Sequence, residues 1–283
     1  MSNTIAIIFD FDDTIAPDST TYFLEEYEIS PSDFWEEKFS TRVRQGYDPT
    51  IAYLTLLLDQ TSPNGEIGPL EPCDLEAVGH EINDEVFDGF AEFVGDINEI
   101  VDEFPEIEIE WHIISEGIER IITSSDITEL FTSVSASRLG TNENGVIDHI
   151  KRPISFTDKT RFLFEINKGI VNSESDENPY LVNSDIPHED RHVPFKNMIY
   201  VGDGLTDVPC FSLVKQRGGR AFSVADEEQP SEKQKAIKVL DAPNRAGHPS
   251  KPAYRQSDHL GSLLRLAVEG LCTERSIDTL EAL

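Results

Sequence analysis

The run Ile5-Ala6-Ile7-Ile8-Phe9 constrains the fold of this chain more than any other stretch. Five successive apolar residues read as a strand buried on both faces, the kind found inside parallel sheets. The run leads directly into Asp10-Phe11-Asp12-Asp13-Thr14. In open α/β folds, ligands bind at the carboxyl ends of the strands. Two carboxylates placed there carry a desolvation cost unless a cation or a reaction requires them.

Three further segments repeat the pattern. Ile107 to Ile114 is strand-like and ends in Ser115-Glu116-Gly117 before an expected helix. A serine hydroxyl and backbone N–H groups at a helix start suit an anion. Thr157-Asp158-Lys159-Thr160 opens an amphipathic helix with Phe162, Leu163 and Ile166 on its apolar face, and Lys159 offers a cation there. Lys168, Lys151 and Arg152 are alternative sources of that charge. Met198-Ile199-Tyr200-Val201 then runs into Gly202-Asp203-Gly204-Leu205-Thr206-Asp207, a second pair of carboxylates at a strand end.

Asp-x-Asp-x-Thr after an apolar strand, then a serine, a lysine and a final acidic pair, all in this order, resembles the four signature regions of the haloacid dehalogenase (HAD) superfamily. The resemblance implies a Rossmann-like parallel α/β sheet with helices on both faces and an inserted helical cap domain. It also implies a magnesium-dependent phosphatase that acts on a small phosphorylated metabolite. Asp12 favours a phosphatase over a dehalogenase, since halide needs no proton. A phosphotransferase or mutase is the near alternative, and a non-catalytic scaffold binding a basic partner protein is a second. The cap position and the Ser-x-Gly motif resemble the phosphoserine phosphatase branch, whereas Gly204-Leu205-Thr206-Asp207 departs from that branch's wording.

The chemistry of these residues points the same way. Phosphoryl transfer needs an in-line nucleophile, neutralisation of the equatorial oxygens and a proton for the leaving group. Asp10 is the candidate nucleophile and Asp12 the candidate acid and base. Ser115, the backbone N–H of Glu116 and Lys159 are the candidates to hold the phosphoryl oxygens. Asp10, the Asp12 carbonyl and Asp203 would supply oxygen ligands to Mg2+, with Asp207 orienting a bound water.

Along the chain, core strands are expected over 4–11, 107–114, 132–137, 197–202 and 219–224, separated by helices. Residues 1–16 and 86–283 would form the core, and 17–85 the helical cap, with the boundary near Phe87-Asp88-Gly89-Phe90. Ser30-Pro31 and Asp48-Pro49 each set a capping residue before proline at a first helical position. Residues 170–196 and 241–256 read as irregular, and a closing helix is expected over roughly 257–271. His188-Glu189-Asp190-Arg191-His192 matches the H-E-x-x-H zinc motif, but Pro187 and Pro194 leave no room for the helix that motif needs.

Composition sets the surroundings. Fifty-four acidic against 23 basic residues give a formal net charge of −31, which repels nucleic acid and resembles proteins adapted to high intracellular salt. No apolar stretch has the length of a membrane helix, no basic leader precedes the first strand, and three scattered cysteines fit a reducing cytoplasm. Between residues 17 and 104 there are 22 acids and only three bases, Lys38, Arg42 and Arg44. Arg42 is therefore a candidate contact for a second anionic group on the substrate, the alternative being a surface pair with nearby acids.

Overall fold

The computed structural model describes residues 2–62, 65–171, 173–225 and 246–281. Its frame is a six-stranded sheet in the order β4-β3-β2-β1-β5-β6. The strands are β1 Thr4–Phe9, β2 Glu108–Ile118, β3 Ser133–Thr141, β4 Ile147–Arg152, β5 Met198–Gly202 and β6 Arg220–Ser223. All neighbours are parallel except β3 and β4. The chain moves from β1 to one side through β2 and β3, then returns to the other side of β1 for β5 and β6. Strand order thus reverses beside β1, the place where open α/β sheets bind ligands.

The alternation of β1 explains why helices cover both faces. Ile5, Ile7 and Phe9 belong to one buried cluster with Phe90, Phe93, Val94 and Ile97 of helix α5 (Phe90–Asp102) and Leu260, Leu264 and Val268 of α10 (His259–Glu281). Ala6 and Ile8 point the other way. They join Phe162, Leu163 and Ile166 of α7 (Lys159–Lys168) and Phe211 and Val214 of α9 (Val208–Gln216).

Residues 19–85 are helical throughout their main elements. These are α1 (Ser19–Glu26), a π-helical segment Asp33–Phe39 continuing into α2 (Ser40–Arg44), α3 (Pro49–Gln60) and α4 (Pro72–Glu81), followed by a 3₁₀ turn. The capping residues act as expected at α3, where Asp48 accepts from the Ile51 N–H at 3.2 Å with Pro49 in the first turn. Asp18 caps α1 in the same way through Thr21 at 2.6 Å. The remaining short helices are α6 (Glu119–Thr123) and α8 (Ser173–Glu177).

Several expectations need correction. The first strand stops at Phe9, so Asp10 lies just past it. β2 does not turn at Ile114 but continues to Ile118, with a register shift against β3 between those residues. Such a bulge bends the strand and re-aims side chains, so Ser115 and Glu116 sit on a distorted strand end rather than at a helix start. β4 was not anticipated, because Ile147-Asp148-His149-Ile150-Lys151-Arg152 is a polar edge strand with no apolar run. The closing helix extends to Glu281. In the expected 241–256 loop, residues 241–245 lie outside the described residues, and Ser250 bridges to Val224. His188–Asp190 forms only a 3₁₀ turn, as its flanking prolines require, and His192 pairs with Glu110 at 2.7 Å.

An aromatic cluster supports the loop that follows β1. Phe9 packs against Phe90 at 5.2 Å between ring centroids and against Tyr254 at 6.0 Å, and Phe90 lies 4.9 Å from Tyr254. The Tyr254 hydroxyl donates to the Thr14 carbonyl at 2.6 Å, and the Phe87 N–H donates to Ile15 at 2.8 Å. Truncating Phe90 to alanine is expected to cost about 3–5 kcal/mol, read from urea unfolding midpoints. A loss below about 1 kcal/mol would mean that this cluster is not a keystone of the core.

Candidate active site

The register of the three central strands brings the sequence motifs together. Phe9 pairs with Ile113 on one side and with Val201 on the other, so Asp10, Ser115 and Asp203 all follow one aligned row. The Asp10 N–H donates to the Val201 carbonyl at 2.9 Å, which extends the β1–β5 ladder by one residue. The chain then folds back, with Asp13 in the left-handed region at φ 53° and the Ile15 N–H bonded to Phe11 at 2.8 Å. This turn places Asp12 beside the start of α1, where its carboxylate accepts from the Ser19 N–H at 2.8 Å.

A cavity of about 210 Å³ opens over this row. Asp10, Asp12, Asp13, Ser115, Glu116, Gly117, Asp203 and Thr206 line it from the strand ends, and Asp18, Thr20, Trp35, Phe39, Pro49 and Tyr53 from the helical segment. A Cβ at Gly117 would run into the Asp12 carboxylate, so a larger residue there would displace that side chain. The Ser115 Oγ accepts from the Gly117 N–H at 3.0 Å, which leaves its hydroxyl hydrogen free to point elsewhere. The Tyr53 hydroxyl donates to the Glu116 carbonyl at 2.5 Å and ties α3 to the end of β2.

Lys159 lies behind Asp10, fully buried. Its Nζ donates to Asp10 Oδ2 at 2.6 Å and to Asp207 Oδ1 at 2.8 Å. Of the four bases considered from sequence, Lys159 is the one in this position. Lys168 instead binds the Val182 and Ser184 carbonyls, and Arg152 pairs with Asp176 and Glu119. Asp207 is held from several sides, by the Tyr200 hydroxyl at 2.7 Å and the Gly204 N–H at 3.2 Å besides Lys159. Asp10, Asp203 and Asp207 each offer a carboxylate oxygen within 4.8 Å of the others, so this group could hold a metal ion. An all-oxygen, carboxylate-rich donor set suits a hard cation.

Burial dominates the acid–base character of the site. Desolvation pushes the Asp10 carboxyl up to about 6, against the pull of Lys159 and with help from Asp207. It holds the Asp12 carboxyl well above the ordinary range, and the nearby Asp18 charge adds to this. Burial also lifts the Glu116 carboxyl to about 7, opposed by Lys159. Burial works against the charge of Lys159, but Asp10, Asp207 and Glu116 together hold its ammonium well above the usual value.

Sequence reasoning missed Asp13, Asp18, Thr20, Trp35, Phe39 and Tyr53 as cavity residues. Asp18 caps α1 as well as lining the cavity, and Trp35, Phe39 and Tyr53 sit on helical segments whose sequence carries no functional motif. Trp35 and Phe39 reach the cavity from a π-helical segment, whose extra residue per turn no local pattern announces. Arg42 is not among the cavity's lining residues. Its guanidinium pairs with Asp59, donates to Thr55 at 2.5 Å and stacks over Tyr47, while Lys38 pairs with Glu66.

Replacing Lys159 with methionine strands two buried carboxylates, and a cost of about 3–5 kcal/mol is expected at pH 7. The stranded acids would hold protons more tightly in the folded than in the unfolded chain. Stability of the variant should therefore rise as pH falls, and its deficit against wild type should narrow from pH 7 to pH 5. Urea unfolding at both pH values checks this, and a deficit independent of pH would contradict it.

No family model matches the sequence. An uncharacterized protein of Borreliella burgdorferi is 27% identical over 235 residues, covering 75% of this chain and 79% of that protein. Among solved structures, a HAD-family hydrolase from Salmonella enterica superposes with a TM-score of 0.56 at 16% identity, covering 94% of this chain and 72% of that one. A substrate-bound phosphoserine phosphatase gives 0.53 at 14% identity, covering 94% and 99%. Cytosolic 5'-nucleotidase IIIB bound to cytidine gives 0.53 at 17% identity, covering 98% and 88%. The chain thus has the fold of the HAD hydrolases, a Rossmann-like, mostly parallel α/β sheet.

Proposed function

We propose that the protein is a magnesium-dependent phosphatase of the HAD type, hydrolysing a small phosphorylated metabolite through an aspartyl-phosphate. The observation that carries this reading is the placement of Asp10 and Asp12 on one cavity, with the buried ammonium of Lys159 bonded to Asp10. The shared fold with hydrolases of this class supports it.

The division of labour follows from the contacts. Asp10 is fixed at both oxygens, by the Phe11 N–H at 2.7 Å and by Lys159, which orients the carboxylate for in-line attack. In the first step an Asp10 oxygen bonds to phosphorus as the ester P–O bond breaks, and Asp12 gives its proton to the leaving oxygen. In the second, Asp12 takes a proton from water as that water attacks phosphorus and frees Asp10. The raised affinity of Asp12 for its proton supports the acid role. The Ser115 hydroxyl and the Glu116 N–H would hold phosphoryl oxygens, and Lys159, buried behind Asp10, would act on them through that carboxylate. Bound at Asp10, Asp203 and the Asp12 carbonyl, Mg2+ would supply charge neutralisation for the phosphoryl group. Asp207, engaged by Lys159, Tyr200 and Gly204, would position rather than attack. Residues 17–85 would act as a cap, since Asp18, Thr20, Trp35, Phe39, Pro49 and Tyr53 wall the cavity from that segment.

Hydrolysis of p-nitrophenyl phosphate by the purified chain should require a divalent metal, with magnesium preferred, and should disappear on chelation. Full activity after exhaustive chelation would defeat the metal assignment. Asp10→Asn should abolish turnover with the fold intact by circular dichroism, because an amide does not attack phosphorus. Asp12→Asn should slow turnover by about 10²–10⁴-fold, most for poor leaving groups. Retention of more than a few per cent activity by Asp10→Asn would rule out the covalent route.

A further inference from the structure

The helical segment turns two apolar pairs toward the reacting groups. Trp35 and Phe39 lie four apart on the π-helical stretch, and Pro49 and Tyr53 lie four apart on α3. That spacing sets both members of a pair on one side of a helix. All four residues line the cavity that holds Asp10 and Asp12. The two pairs meet there, with Trp35 at 5.3 Å from Phe39 and 5.9 Å from Tyr53 between ring centroids.

What this wall offers is carbon. The Trp35 indole N–H donates to Thr21 Oγ1 at 2.9 Å, and the Tyr53 hydroxyl donates to the Glu116 carbonyl at 2.5 Å. Both rings therefore have their polar ends bonded within the protein, and their apolar bodies remain for a ligand. The same bonds hold the rings in place before anything binds, which lowers the ordering cost of recognition. Asp18 and Thr20 line the cavity from the same segment, and Asp18 is bonded to the Thr21 N–H as the cap of α1.

These rings do more than fill the segment's own core. Phe34, Leu54 and Leu57 are fully buried and serve that purpose, whereas Trp35 and Phe39 stay half-buried at the cavity. Apolar surface left open beside reacting groups gains from being covered by a ligand of like character. At about 210 Å³ the cavity is smaller than the roughly 300–1,000 Å³ of sites for drug-sized ligands, so it suits one ring rather than several.

Resting on the phosphatase reading above, we propose that the substrate is the phosphate monoester of an alcohol with an apolar body the size of a single ring. The phosphoryl group lies toward Asp10 and Ser115, and the ring packs on Trp35, Phe39 and Tyr53.

The test compares kcat/KM of the magnesium-loaded wild type on four esters of primary alcohols, so that the leaving oxygens are chemically alike. Benzyl phosphate and cyclohexylmethyl phosphate carry an apolar ring, whereas glycerol 3-phosphate and O-phosphoserine carry polar bodies of smaller bulk. At least one ring ester should exceed both polar esters by about tenfold or more. In Trp35→Ala the ratio of benzyl phosphate to glycerol 3-phosphate should fall by about threefold or more. Should that variant fail to fold, inhibition of the wild type decides instead, with benzyl alcohol expected to compete at lower concentration than glycerol. Turnover of p-nitrophenyl phosphate with no preference for the ring esters, or a preference that Trp35→Ala leaves unchanged, would overturn the inference and leave the phosphatase reading standing. Absence of turnover on every ester, p-nitrophenyl phosphate included, would overturn both.

Discussion

A buried ammonium between two carboxylates organises this molecule's site. Lys159 makes its contacts with Asp10 and Asp207 without access to solvent. Buried ion pairs add little net stability, since desolvation consumes most of the Coulombic gain. Their effect is geometric instead, because any displacement leaves an uncompensated charge. The nucleophile candidate following β1, the lysine opening α7 and the acid following β5 are therefore locked to one another. Tyr200 and the Gly204 amide extend the lock by fixing Asp207.

Around that lock the backbone makes close approaches that only particular residues permit. A Cβ on Gly202 would collide with the Asp207 carboxylate, just as one on Gly117 would collide with Asp12. The bulged end of β2 brings Ser115 and Glu116 to the cavity, and Tyr53 ties that strand end to the helical segment. The site is thus built from strand ends below and helices above, with polar contacts joining the two.

Much of the lower half was legible in the sequence. Apolar strands that end in Asp10, Ser115 and Asp203 announce themselves, because a carboxylate or hydroxyl at the end of a buried strand is an anomaly against its neighbours. Lys159 was legible through its order along the chain and its position at a helix opening. The upper half was not. Trp35 and Tyr53 have the spacing of ordinary core residues, and only their tertiary placement turns them into cavity walls. Arg42 stood out for its sign in an acidic segment, yet Asp59 neutralises it beside α3. β4 escaped notice because an edge strand with one wet face carries no continuous apolar run.

The position of β1 has a consequence for how the chain reaches this state. It is the first strand made, yet it lies in the middle of the sheet, paired only with β2 and β5. Lys159 is 149 residues from its partner Asp10. During synthesis a fully apolar strand must therefore wait, unpaired, until segments far along the chain have been made. Such non-local pairing slows folding and exposes sticky intermediates. The dense negative charge of the rest of the chain, −31 in all, would keep those waiting chains apart. Acidity here would then guard the nascent protein as much as it shapes the finished one.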